Sequence, residues 1–93
     1  MVYIVERYLP GLRQTELAHA LGRLELTTEE LRREGVPVRY LGSTIVPEDE
    51  VCFCHFEAPS EAAVAEANKR ARLAFDRIVA GVGVGRPAKQ EQR

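Results

Sequence analysis

A chain of 93 residues with 45% apolar and 29% charged side chains has the balance of an ordinary folded domain, and disorder is not expected. Its length allows one domain, with a core large enough for one sheet and the helices that cover it. A net charge of -1 argues against a nucleic-acid partner, because phosphate binding rests on clustered Lys and Arg.

No apolar run approaches the roughly 20 residues that cross a bilayer, so no membrane partner is expected. The first residues, Met1 to Arg7, place no basic leader ahead of an apolar stretch, so a cytoplasmic location is expected. Cys52 and Cys54 are the two cysteines of the chain, too close in sequence to staple a fold.

Prolines at 10, 37, 47 and 59 fall between patterned segments, where a missing N–H does least harm. Residues 2–8 are dense in β-branched and aromatic side chains and read as a strand that Leu9-Pro10-Gly11 ends. Residues 13–34 carry Leu17, Leu21, Leu24 and Leu31 at helical spacing, with Thr28 in the gap. Thr27-Thr28-Glu29-Glu30 has the form of a capping box, which predicts a break or kink there, and Gly35 supplies the stop.

Residues 37–46 and 50–58 read as strands two and three, paired antiparallel across the turn Pro47-Glu48-Asp49. Ser60 is the expected N-cap of a second helix whose stripe is Ala63, Val64, Ala67 and Ala71. Residues 75–84 read as the last strand, weakened by Gly81, Gly83 and Gly85. The domain is expected to span residues 1–85, with 86–93 a flexible polar tail.

The order β-α-β-β-α-β with right-handed crossovers gives an α+β, ferredoxin-like sandwich: a four-stranded antiparallel sheet with both helices on one face. The other face is bare in a monomer. A second copy laid against it, making a homodimer of the dimeric α/β barrel type, is the expected cover.

Period two sends Val51, Phe53, His55 and Glu57 to one face of strand three, and Cys52, Cys54, Phe56 and Ala58 to the other. The second set is small and apolar, as a helix-facing set should be, and both thiols read as reduced core residues. Cys52-Phe53-Cys54-His55 invites a metal reading. A strand, however, points His55 away from both sulfurs, so one ion cannot take all three. On strand one, Ile4, Glu6 and Tyr8 share one face and Tyr3, Val5 and Arg7 the other, and the pattern does not decide which is open. The pocket candidates are therefore Glu6, Arg7, Tyr40, Phe53, His55 and Glu57. His55 is the expected titrating group and Glu57 the expected anchor or interface ion-pair partner.

His19 falls on the solvent side of its helix, and Arg32, Arg33, Lys69, Arg70 and Arg72 read as solvated cations near helix ends. Strand three lacks the basic, glycine-bearing aromatic run of an RNA-recognition motif. Leu9-Pro10-Gly11-Leu12 lacks the thiols of a heavy-metal chaperone, and no glycine loop precedes a helix to cradle phosphate. No complete catalytic motif is present, so whether the chain is an enzyme stays open.

Four stretches carry a resemblance that covers residues 2–80. They are Val5 to Gly11, Val38 to Ser43, Cys54 to Glu61 with its C-x-x-E-A-P-x-E string, and Ala67 to Ala71 running on to Asp76-Arg77-Ile78. Together they resemble a small bacterial family known as a domain of unknown function, which includes a nickel-binding protein. The resemblance implies the ferredoxin-like fold, a homodimer, and a role in holding a small ligand or a divalent metal, nickel among them. Metal-binding members of such a family place histidines where this chain has Glu6, Arg7, Gly42 and Ala67, so His55 and Glu57 remain as the candidate metal ligands. A cofactor-free isomerase, cyclase or monooxygenase with a pocket in a dimeric α/β barrel is the alternative.

Overall fold

The computed structural model describes residues 1–11 and 13–85. Strand β1 (Val2–Tyr8) leads through helix α1 (Gln14–Arg33) to strand β2 (Arg39–Val46). Strand β3 (Val51–Glu57), helix α2 (Glu61–Arg70) and strand β4 (Arg77–Gly81) follow. The sheet order β2-β3-β1-β4 and its antiparallel pairs are those of the ferredoxin-like α+β sandwich. No helix among the described residues is long and apolar enough to cross a membrane.

Three expectations are corrected. The Thr27-Thr28 box does not break α1. Thr28 is fully buried inside the helix and donates to the Leu24 carbonyl at 2.7 Å, while Thr27 donates across to Ala67 O at 2.9 Å. Both hydroxyls find acceptors without leaving helical geometry, so nothing drives a kink. The last strand is shorter than 75–84 because Gly81 pairs with Val2, where β1 begins, and the chain beyond has no strand left to pair with. Arg70 is more than a solvated cation. It donates to Glu30, Glu34 and Glu66 and so bridges α1 to α2, holding the Glu34 carboxyl below its ordinary range through its hydrogen bonds. The expected tail, 86–93, lies outside the described residues.

Other local signals act as read. Ser60 Oγ accepts from Ala63 N at 3.2 Å and caps α2. Gly35, at φ +94°, lets its own N–H reach Arg32 O and the Val36 N–H reach Leu31 O, at 3.0 and 2.9 Å. That doubled bond is a Schellman stop, and Val36 then packs on the core beside Leu31.

Period two decides what lies where. Tyr3, Val5 and Arg7 of β1, with Cys52, Cys54 and Phe56 of β3, face the helices and are buried. Against them pack Leu17, Leu21, Leu24 and Leu31 of α1 and Ala63, Val64 and Ala67 of α2. The alanine stripe of α2 lets that helix approach the sheet closely. Among the described residues the opposite face of the sheet carries no helix.

Replacing Gly35 by Ala is expected to cost about 1–2 kcal/mol, the penalty of a Cβ in the left-handed region. Urea unfolding of Gly35→Ala against the parent chain measures it.

Candidate functional site

The register separates the six pocket candidates into two groups. Glu6, Phe53, His55 and Glu57 lie together on the open face. Arg7 and Tyr40 lie on the helix face, so one pocket does not take in all six. The strand-one face left open by the sequence is settled: Ile4, Glu6 and Tyr8 point away from the helices.

On the open face His55 stands at the middle of β3, between Ile4 of β1 and Gly42 of β2. A bulge between Tyr40 and Gly42 displaces Leu41 and brings Gly42 opposite His55. Gly42 has φ +125°, and a Cβ built on it would meet no atom within 4 Å, so the space beside the imidazole is open. Glu57 sits between Val2 and Arg39. Glu6 sits between Phe53 and Arg77 and accepts a hydrogen bond from Arg77 Nε. The face is thus an apolar centre (Ile4, Phe53, Val79) with the Glu6–Arg77 ion pair beside it and Glu57 across from Arg39 in the register. His19 is exposed on α1, as its spacing implied.

On the helix face a polar cluster sits inside the core. Arg7 is only 1% exposed, yet its guanidinium carries a full charge. Nη1 donates to Ala74 O at 2.9 Å, and Nη2 donates to Asn68 Oδ1 at 2.6 Å and to Cys54 Sγ at 3.5 Å. Asn68 is itself buried and fixed by its amide bond to Val64 O at 2.8 Å. Nε of Arg7 is buried with no hydrogen-bond partner. Ser43 Oγ donates to Cys54 Sγ at 2.8 Å and exchanges a hydrogen bond with the Tyr40 hydroxyl. Cys52 and Cys54 are free thiols with Sγ atoms 3.8 Å apart. Both are buried, as the alternation implied, but their surroundings are not purely apolar.

Sequence reasoning missed Arg7 as a core residue and Asn68 altogether. The available signal was volume: Arg7 lies directly across from small Cys52, and a long side chain fills what a small neighbour leaves.

These contacts set the thiols apart. The Cys52 thiol hydrogen bond, the Ser43 hydroxyl and the Arg7 charge together pull Cys54 down to about 6, against burial. Cys52 moves the other way, raised by its bond to Cys54 and by burial. Burial also pushes the Tyr40 hydroxyl up, opposed by its bond with Ser43. Because Cys54 gives up its proton more readily in the folded chain than in the unfolded one, its ionisation is linked to stability. The contribution is complete above the ordinary thiol value near 9 and is lost as pH falls through about 6. Unfolding free energy is therefore expected to rise from pH 6 to pH 9, with thiolate absorbance appearing near pH 6. Both features should vanish in Cys54→Ser, which chemical denaturation and ultraviolet titration check.

Among the described residues no three His, Cys, Asp or Glu side chains group as a metal-holding set. His55 and the two sulfurs point to opposite faces, as the strand required.

A comparison with curated proteins yields no match. Among solved structures, SCO4226 from Streptomyces coelicolor is similar at 20% identity and a TM-score of 0.74, over 91% of this chain and 100% of that one. That likeness establishes the fold. The family described as nickel responsive protein SCO4226-like matches residues 3–80, nearly the whole folded domain. The chain belongs to this SCO4226-like family.

Proposed function

We propose that this chain is a small binding protein that works as a homodimer through its helix-free sheet face, holding a small molecule or a divalent ion beside His55. The observation that carries this reading is the composition of the open face. An apolar centre of Ile4, Phe53 and Val79 stands on a surface that water would otherwise cover, bordered by the Glu6–Arg77 pair. The free space over Gly42 gives a ligand access to the imidazole.

Two concavities of the single chain do not favour the enzymatic alternative. One of about 120 Å³ lies among Leu9, Leu17, Ile45 and Glu50. The other, about 580 Å³, is an open groove along Ala65, Lys69, Leu73 and Phe75. Neither takes in His55 or Glu57, so neither pairs a cavity with the imidazole and carboxylate that cofactor-free catalysis would use.

The family's description names nickel, and the donor set of one chain does not fit that ion. His55 has Ile4 and Gly42 as its cross-strand neighbours, not ligands, and Glu57 faces Arg39. One imidazole and one carboxylate leave the remaining positions to water, a set that suits harder ions. A two-fold partner would double each donor, which is why the dimer and the ion belong to one reading.

Native mass spectrometry of untagged protein prepared without chelator tests it. A dimer is expected, with any divalent ion or small molecule lost on His55→Ala, and with nickel held only weakly. A monomer at micromolar concentration, or submicromolar nickel affinity that survives His55→Ala, would overturn it.

A further inference from the structure

The helix-face cluster is not used by the open-face reading, and it poses its own problem. Arg7 brings a permanent positive charge into the core. Its contacts are a backbone carbonyl, an amide oxygen and a sulfur, and none is a carboxylate. The only group beside it that can become an anion among these contacts is Cys54, and Arg7 Nε adds an unpartnered buried donor at the same place. What stands beside it is a pair of thiols, both fully buried, with sulfurs 3.8 Å apart and a hydroxyl donor at 2.8 Å.

We propose that Cys52 and Cys54 form a buried two-thiolate site for a soft monovalent cation, with copper(I) the matching ion and Arg7 its charge partner. Three observations carry this. The first is geometry. Metal–sulfur bonds of about 2.3 Å set at a tetrahedral angle span about 3.8 Å, the separation observed. Straightening them toward a linear pair parts the sulfurs by under about 1 Å, which rotation about χ1 supplies.

The second is coordination number. No third His, Cys, Asp or Glu joins the thiols among the described residues. Zinc in structural sites takes four ligands, whereas soft thiolates select copper(I).

The third is charge. Two thiolates around a monovalent ion leave one negative charge, which Arg7 cancels. A divalent ion would cancel the thiolates and leave Arg7 bare in a dry core. Binding releases the Cys52 proton to solvent, and that of Cys54 as well where pH is low enough for it to be held, and changes no oxidation state. Ser43 lies on edge strand β2, beside the bulge and next to half-buried Tyr40, and joins Cys54 to that partly exposed edge through its hydrogen bond.

The test uses the whole reduced chain and copper(I) buffered by a chromogenic copper(I) chelator under anaerobic conditions. One copper(I) per chain is expected, withheld from the chelator. Binding should fall below detection in Cys52→Ser and in Cys54→Ser, and should weaken about 10–100-fold in Arg7→Met. X-ray absorption on the unaltered chain keeps the test independent of how the variants fold. Two sulfur scatterers with no nitrogen or oxygen shell are expected. Failure to withhold copper, retention by either serine variant, or a nitrogen shell pointing to His55 would each overturn the proposal.

Discussion

A guanidinium that leaves water must find acceptors, and the three that Arg7 finds come from three different places in the chain. Ala74 lies in the link between α2 and β4, Asn68 in the last turn of α2, and Cys54 in the middle of β3. One side chain of β1 therefore ties the neighbouring strand, the second helix and the returning connection. Removing it would leave a cavity and strip the donor from Asn68 Oδ1 and Cys54 Sγ, on side chains that are themselves buried. The face of β1 that carries Arg7 becomes the helix face, and Ile4, Glu6 and Tyr8 take the other. The composition of the open face is thus a consequence of where the arginine is housed.

That division separates two chemistries by one layer of backbone. Toward the helices, β3 presents two thiols and an aromatic ring. Tyr40 packs tilted on Phe56 with centroids 5.4 Å apart, beside the hydroxyl chain that ends at Cys54. On the other side β3 presents an imidazole and a carboxylate among apolar neighbours. Adjacent residues Cys54 and His55 belong to different environments, soft and enclosed on one side, hard and open on the other. The two helices secure this arrangement from outside, through Arg70 on Glu30 and Glu34 and through Thr27 on Ala67.

Most of the architecture was legible in the sequence because it is written in period. The leucine spacing of α1, the alternation of β3, the serine cap of α2 and the glycine stop at 35 each act locally. Such a signal holds where no tertiary contact competes with it. The capping box at Thr27 failed because its hydroxyls had tertiary and i−4 acceptors that no local pattern shows. The site was legible only in part. His55 and Glu57 were placed correctly by alternation, since β3 has one clearly apolar set. Strand β1 has an apolar pair and a charge on either set, so alternation could not say that Arg7 goes in and Glu6 stays out. That choice depends on Asn68 and Ala74, about 60 residues away, and on the small volume of Cys52.

The claim on which this account turns is that Arg7 and Cys54 act as a coupled pair inside the core. A double-mutant cycle with Arg7→Met and Cys54→Ala, followed by urea unfolding at pH 8, measures that coupling without reference to any ligand. An interaction energy of about 0.5–3 kcal/mol is expected, the range for neighbours in one buried network. Additivity of the two substitutions to within about 0.3–0.5 kcal/mol, as for independent sites, would contradict it.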